Sequence, residues 1–121
     1  MSMKGLSAFL MFDVEGFFAD KRLVFVKAEQ WGSRNEEGAV TGAMGTRATV
    51  MIVEDDTDYG RDISNFGAQF VVKVPGMPPS AFDTLKPLAT EVTIAEVEKA
   101  SVWGEFRNEL AIVAKLAVVR D

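Results

Sequence analysis

Residues 68–94 read AQFVVKVPGMPPSAFDTLKPLATEVTI, and this stretch joins two strand-like segments through a proline-rich turn. In its first part Phe70, Val72 and Val74 alternate with polar residues such as Lys73, which is typical of a strand with one buried face. Three closely spaced prolines follow, and proline cannot donate the N–H that a sheet requires. The stretch therefore predicts a strand that ends in a turn.

A short helix and a second strand are expected after the turn. Either Ser80 is the N-cap of a short helical turn through Leu85 or Pro79 lies inside its start, and Pro87 stops the helix. Val92 and Ile94 then mark one face of a strand, whereas Val97 falls on the opposite face. This change of phase indicates a β-bulge near residues 95–96.

The remaining strand candidates lie on both sides of this stretch. They cover residues 22–31, 46–54 and 109–120, in addition to the strand at 88–102. The glycine-containing segment 32–45 is expected to be a long loop or a flexible hairpin tip, and 103–108 a hairpin tip. A helical alternative stays open for the last two strands, because Ala, Glu, Lys and Leu are abundant there. The first strand leaves its core-facing alternation open, so Phe25 is either a core residue or an exposed ring.

The order of elements predicts a fold class. Three strands, one short helix and two more strands are the layout of a mainly β, five-stranded, OB-fold-like Greek-key barrel, with the helix between strands 3 and 4. We expect an N-terminal arm over residues 1–21 and a single domain over 22–121. Side chains fill the interior of so small a barrel, which places any site on the outer face of strands 2 and 3 and on the adjoining loops.

Composition narrows the chemistry. The 121 residues include no Cys and no His, which removes thiol nucleophiles, histidine acid–base catalysis and the usual zinc and iron sites. Four aspartates between residues 55 and 62 do not have the spacing of a calcium loop. The sequence therefore predicts a protein that is not an enzyme and has no metal or cofactor.

Charge and hydropathy indicate the class of partner and the compartment. The formal net charge is −5, which argues against a protein that coats duplex DNA, although a local groove can be basic on an acidic body. No apolar run is long enough to span a membrane and the N-terminus lacks an export signal, so we expect a cytoplasmic protein without membrane contact. The N-terminal phenylalanines at positions 9, 12, 17 and 18 are expected to pack against this domain or a second copy.

Five stretches of the chain carry a family resemblance: LVFVKAE at 23–29, NEEGAV at 35–40, FVVKVPGMPPSAFD at 70–83, LATEVTIAEVEKASVWG at 88–104 and LAIVAKLAVV at 110–119. They resemble a family of small proteins from integrative and conjugative elements, or conjugative transposons, that includes a helicase-processivity factor with an OB-fold of the single-stranded-DNA-binding type. The resemblance implies a non-catalytic accessory protein of a mobile genetic element. Such a protein would bind single-stranded DNA and assist a helicase or relaxase during conjugative transfer or replication.

Binding of single strands without sequence preference requires aromatic faces for the bases and basic residues for the phosphates. The candidates are Lys27, Trp31, Arg34, Arg47, Lys73, Trp103, Phe106 and Arg107. Each has a structural alternative, because a Trp at a strand end can cover the core and a single Lys or Arg can be a solvated surface residue. Nearby glutamates, Glu29 and Glu105 among them, would repel phosphates.

A second hypothesis of another class stays open at this point. The chain could be a protein–protein interaction module, with a homodimer as one form, that uses its aromatic N-terminus and an open sheet edge without contacting nucleic acid. Salt distinguishes the two hypotheses. Binding through phosphates weakens as salt rises, whereas a hydrophobic contact holds or tightens.

Overall fold

A computed structural model describes residues 3–4, 12–34, 40–60, 62–103 and 109–119. Within these residues the chain forms a short N-terminal helix, a 3-10 helix and strands β1 to β5. Their bounds are α1 Val14–Phe18, β1 Lys21–Arg34, β2 Val40–Asp55, β3 Gln69–Pro75, the 3-10 helix Pro79–Phe82, β4 Glu91–Trp103 and β5 Glu109–Val118.

The strands close into a barrel in the order β1-β2-β3-β5-β4. β4 pairs with β1 to complete the circle, and the pairing of β3 with β5 is parallel while the others are antiparallel. Closure leaves no edge in the pairing order, which is how small β domains avoid exposed strand edges. The predicted mainly β, OB-fold-like barrel is confirmed, with its short helix between β3 and β4. That helix begins at Pro79, so the expectation of Ser80 as its N-cap is wrong. The helical alternative for the two C-terminal segments is wrong.

The long-loop alternative for residues 32–45 is wrong for most of their length, because the segment belongs to the antiparallel hairpin of β1 and β2. β1 continues to Arg34 and β2 begins at Val40, with Gly32 opposite Ala43 and Ser33 opposite Gly42. Glycine weakens a strand, but pairing with the neighbouring strand decides whether it forms. Residues 35–39 lie outside the described part of the chain.

The outer and inner faces of the barrel follow from the register. Leu23 and Phe25 of β1 are buried in the core, and a register shift between Phe25 and Lys27 then brings Ala28 against the same core. The ring of Phe25 lies parallel to that of Phe82 in the 3-10 helix, with centroids 6.3 Å apart. Phe25 is therefore a core residue, but the register shift means that neither simple alternation holds along the whole of β1.

The other strands complete this core. Its buried members are Leu23, Phe25, Ala48, Val50, Ile52, Val72, Val74, Phe82, Val92, Ile112 and Ala114. The predicted bulge in β4 is confirmed: Ala95 pairs with Lys115 but Lys99 with Val113, and Glu96 has a φ of 46°. Three residues of β4 thus oppose one of β5, and the bulge sets which β4 side chains point outward.

A buried ion pair ties α1 to the barrel. The side chains of Lys21 and Asp55 have no exposed surface, and Lys21 Nζ lies 3.2 Å from Asp55 Oδ1. The same ammonium group donates to the carbonyl oxygen of Phe17 at 2.8 Å and to Thr57 Oγ1 at 2.9 Å. It also lies 3.8 Å from the centre of the Phe17 ring. Lys21 therefore fixes the end of α1 against β2.

The carboxylate of Asp55 has further donors. Its Oδ2 accepts from Asn65 N at 2.7 Å and from the Tyr59 hydroxyl at 2.8 Å, and its Oδ1 accepts from Thr57 N at 3.2 Å. Burial alone raises the pKa of Asp55, but these hydrogen bonds and the one from Lys21 outweigh it and hold the pKa well below the usual range. Asp55 thus organises the connection between β2 and β3.

Candidate nucleic-acid interface

A row of basic residues crosses the outer face of the barrel. Arg47 of β2 pairs directly with Lys73 of β3, Lys73 pairs with Val113 of β5, and Val113 pairs with Lys99 of β4. Like charges placed directly opposite each other destabilise a sheet. On the other side of Arg47 the paired residue is Glu29 of β1, so a carboxylate borders the row at that end.

Trp31 lies at one end of this row. A cavity of about 160 Å³ is lined by Trp31, Gly32, Arg47 and Lys73, and Lys73 Nζ lies 5.3 Å from the centre of the Trp31 ring. Trp31 is half-buried and pairs with Gly45, which has no side chain to cover the ring. An aromatic face next to two cations is the combination that nucleobases and phosphates require.

A larger groove continues from the same two cations. It has a volume of about 780 Å³ and runs along β3 and β5, and Arg47 and Lys73 line both it and the Trp31 cavity. Lys99 adds a third cation, the rings of Phe12 and Phe17 form part of the wall, and none of the lining residues is an Asp or Glu. The groove is therefore apolar and positive on a chain with a net charge of −5.

Ion pairing distinguishes these cations from several other basic residues. Lys27 Nζ lies 2.9 Å from Glu29 Oε1, and Arg22 and Lys115 likewise contact carboxylates. Within the described ranges, Arg47, Lys73 and Lys99 form no ion pair, and Lys73 contacts the face of the Trp31 ring instead.

Arg47 has a further unmet hydrogen bond. Its Nε is buried and has no hydrogen-bond partner among the described residues. A buried donor without an acceptor costs about 1–3 kcal/mol, so this atom marks a position where an acceptor oxygen would add stability.

The structure brings together three of the residues predicted from the sequence: Trp31, Arg47 and Lys73. Lys27 lies nearby on β1, but its charge is paired with Glu29. The remaining candidates fall on or beside parts of the chain that the structure does not describe. Arg34 and Trp103 occupy strand positions opposite Val40 and Glu109, with side chains outside the description, and Phe106 and Arg107 lie outside the described residues altogether.

Sequence reasoning missed Lys99, Phe12 and Phe17 as groove residues. The β4 bulge changes which residues face outward, so simple alternation from Val92 could not place Lys99. The expected bulge was the signal that could have done so. The N-terminal phenylalanines were expected to pack on the domain, and Phe18 does stack on Phe70 with a centroid distance of 5.3 Å.

Other features of the described chain do not suggest a second kind of site. Its Asp and Glu side chains form no group of three or more suited to holding a metal ion. None of its helices has the length and apolar character needed to cross a membrane. Comparisons with protein-family models, with curated proteins and with solved structures find no match to this chain.

Proposed function

We propose that this protein binds single-stranded nucleic acid, single-stranded DNA in particular, and that it is a non-catalytic accessory factor. The observation that carries the proposal is the contact between an aromatic face and unpaired cations on the outer face of β1 to β3. There Trp31, Arg47 and Lys73 line one cavity. Trp31 is the base platform, and Arg47 and Lys73 bind the adjacent phosphates.

A few contacts of this kind supply enough binding free energy for a measurable affinity. Stacking on an aromatic side chain contributes about 1–3 kcal/mol per base and tolerates any sequence, because every base has a π face. The cations next to Trp31 bind phosphate whatever the base. Since Arg47 and Lys73 repel each other across the β2–β3 pair, a phosphate between them also removes a cost of the free protein.

The acidic composition favours a single strand over a duplex. A duplex presents phosphates on both strands and is usually met by a broad basic face. Here the described unpaired cations on the outer face form one narrow row, Arg47, Lys73 and Lys99, inside a groove. A positive groove with apolar walls concentrates the field locally even when the net charge of the protein is negative.

The resemblance to conjugative-element proteins supplies the biological part of the proposal. On that basis the protein would assist a helicase or relaxase of a mobile genetic element by holding single-stranded DNA during transfer or replication. The groove supports only the binding step of this role.

Salt dependence of binding tests the proposal. We expect the affinity for oligothymidine to fall as salt rises. The plot of log affinity against log salt should become shallower, its slope losing about 0.7 in magnitude for each phosphate contact removed. Lys73→Gln and Lys99→Gln should each show this decrease. Lys86→Gln removes an exposed lysine outside the groove and is the matched control, for which the slope should not change.

The same titrations can contradict the proposal. Equal slopes for the wild type, Lys73→Gln and Lys99→Gln would show that the row does not contact phosphates. Tighter binding to duplex than to single strands would also overturn it.

A further inference from the structure

The N-terminal residues Phe12 to Phe18 form a chain of aromatic contacts that starts in the barrel and ends in the groove. Phe18 stacks on Phe70 of β3, Phe17 meets Phe18 edge to face at 4.9 Å, and Phe12 meets Phe17 edge to face at 5.0 Å. Phe18 and Phe70 pack against the core, whereas Phe12 and Phe17 line the groove. The outer two rings therefore stand on a fixed base.

The position of these rings does not depend on aromatic contacts alone. Asp13 caps α1, because its Oδ1 accepts from Gly16 N at 3.0 Å and its carbonyl oxygen accepts from Phe17 N at 2.9 Å. At the other end, buried Lys21 binds the Phe17 carbonyl oxygen and is itself held by Asp55. Preorganised side chains lose less entropy when a ligand binds. Phe17 is thus held in place at both ends of α1, and Phe12 extends the wall through its edge contact with the Phe17 ring.

This wall and Trp31 line two neighbouring cavities that share Arg47 and Lys73. Arg47 and Lys73 border both the Trp31 cavity and the larger groove, whose lining extends along β3 back to Gln69. From Lys73 to Gln69 the strand covers about 13 Å, at about 3.3 Å per residue. Bases stacked at about 3.4 Å would take roughly four steps over that distance.

We propose that Phe12 and Phe17 form a second stacking platform of the nucleic-acid site, so that the single strand runs along β3 from Trp31 to the N-terminal segment. The inference rests on the proposed function. The phosphates of the bound strand lie on Arg47, Lys73 and Lys99, the cations of the groove without a carboxylate partner in the described chain. An apolar wall facing a row of cations matches the alternation of bases and phosphates in a single strand.

Oligonucleotide length provides the test, because a short strand occupies one platform and a longer strand occupies both. We expect Phe12→Ala to weaken binding of an oligothymidine of about twelve nucleotides by about fivefold or more, and to reduce the gain in affinity from about four to about twelve nucleotides. Trp31→Ala should weaken binding at both lengths. The full-length protein is used throughout, and its thermal unfolding is measured for each variant.

Phe66→Ala is the matched control. Phe66 is 69% exposed and does not line the groove, so its removal should leave binding unchanged at both lengths. If Trp31→Ala weakens binding but folded Phe12→Ala does not at any length, the second platform is wrong and the proposed function stands. If the wild type binds neither oligonucleotide, the proposed function itself fails.

Discussion

Replacing Asp55 with alanine is expected to lower the free energy of unfolding by about 3 kcal/mol, because it leaves the ammonium group of Lys21 buried without its counter-ion. The substitution also removes the acceptor for Asn65 N, the Tyr59 hydroxyl and Thr57 N. Chemical denaturation at neutral pH measures the loss. The matched control is Asp56→Ala, which removes the exposed neighbouring carboxylate and should have a much smaller effect.

Acidification should produce the same loss in the wild type. The pKa of Asp55 is lower in the folded protein than in the unfolded chain, so its contribution is complete above the unfolded pKa of about 3.9 and decreases as the pH falls below that value. The stability difference between the wild type and Asp55→Asn should therefore be constant above about pH 5 and narrow progressively as the pH falls from about 5 to about 3. A difference that is constant or widens on acidification would show that the ionised carboxylate does not stabilise the fold.

The ion pair between Lys21 and Asp55 also affects the proposed binding site. Asp55 holds Lys21, and Lys21 holds the end of α1, which carries Phe17 into the groove. Loss of this ion pair should release α1 before it unfolds the barrel, since the core lies mainly in the strands.

Replacing Trp31 with alanine is expected to weaken oligothymidine binding by about 5- to 150-fold, which corresponds to the loss of about 1–3 kcal/mol of stacking. Stability should change little, because Trp31 is half-buried near the end of β1 and is not part of the core. Trp31→Phe retains an aromatic face and should recover most of the affinity. Equilibrium titration and chemical denaturation of both variants measure the two effects separately.

This pair of measurements distinguishes a base platform from a structural tryptophan. If Trp31 only covers the barrel, Trp31→Ala lowers the free energy of unfolding and leaves the affinity of the folded protein unchanged. Lys73, whose ammonium group lies 5.3 Å from the ring centre, offers an independent check. Lys73→Gln should weaken binding at low salt without the stability loss of a core substitution.

The fold could be predicted from the sequence because its decisive signals are local. The alternation in β3, the proline turn and the phase change in β4 each identify an element from a few neighbouring residues, and their order then indicates the barrel. The extension of β1 and β2 through a glycine-rich segment could not be predicted in this way. It depends on pairing across the hairpin, as between Gly32 and Ala43, and single-residue preferences do not report pairing.

The candidate site was only partly accessible to sequence reasoning for the same reason. Trp31, Arg47 and Lys73 belong to consecutive strands, so their meeting follows from strand order. Lys99 joins them only because β5 inserts between β3 and β4 and the bulge moves the outward-facing positions of β4. The contribution of Phe12 depends on how Lys21 holds α1. Lys21 is in turn held by Asp55 at the far end of β2, a contact that the sequence does not reveal.

The most direct test of the central claim is a fluorescence-anisotropy titration of labelled oligothymidine with the wild type and Trp31→Ala at a low and a high salt concentration. The proposal predicts that the wild type binds and that its affinity falls as salt rises. It also predicts that Trp31→Ala binds more weakly than the wild type at each salt concentration. No binding at tens of micromolar protein in low salt would contradict it, as would binding that responds to neither salt nor the substitution. The absence of binding would favour the protein–protein interaction module instead.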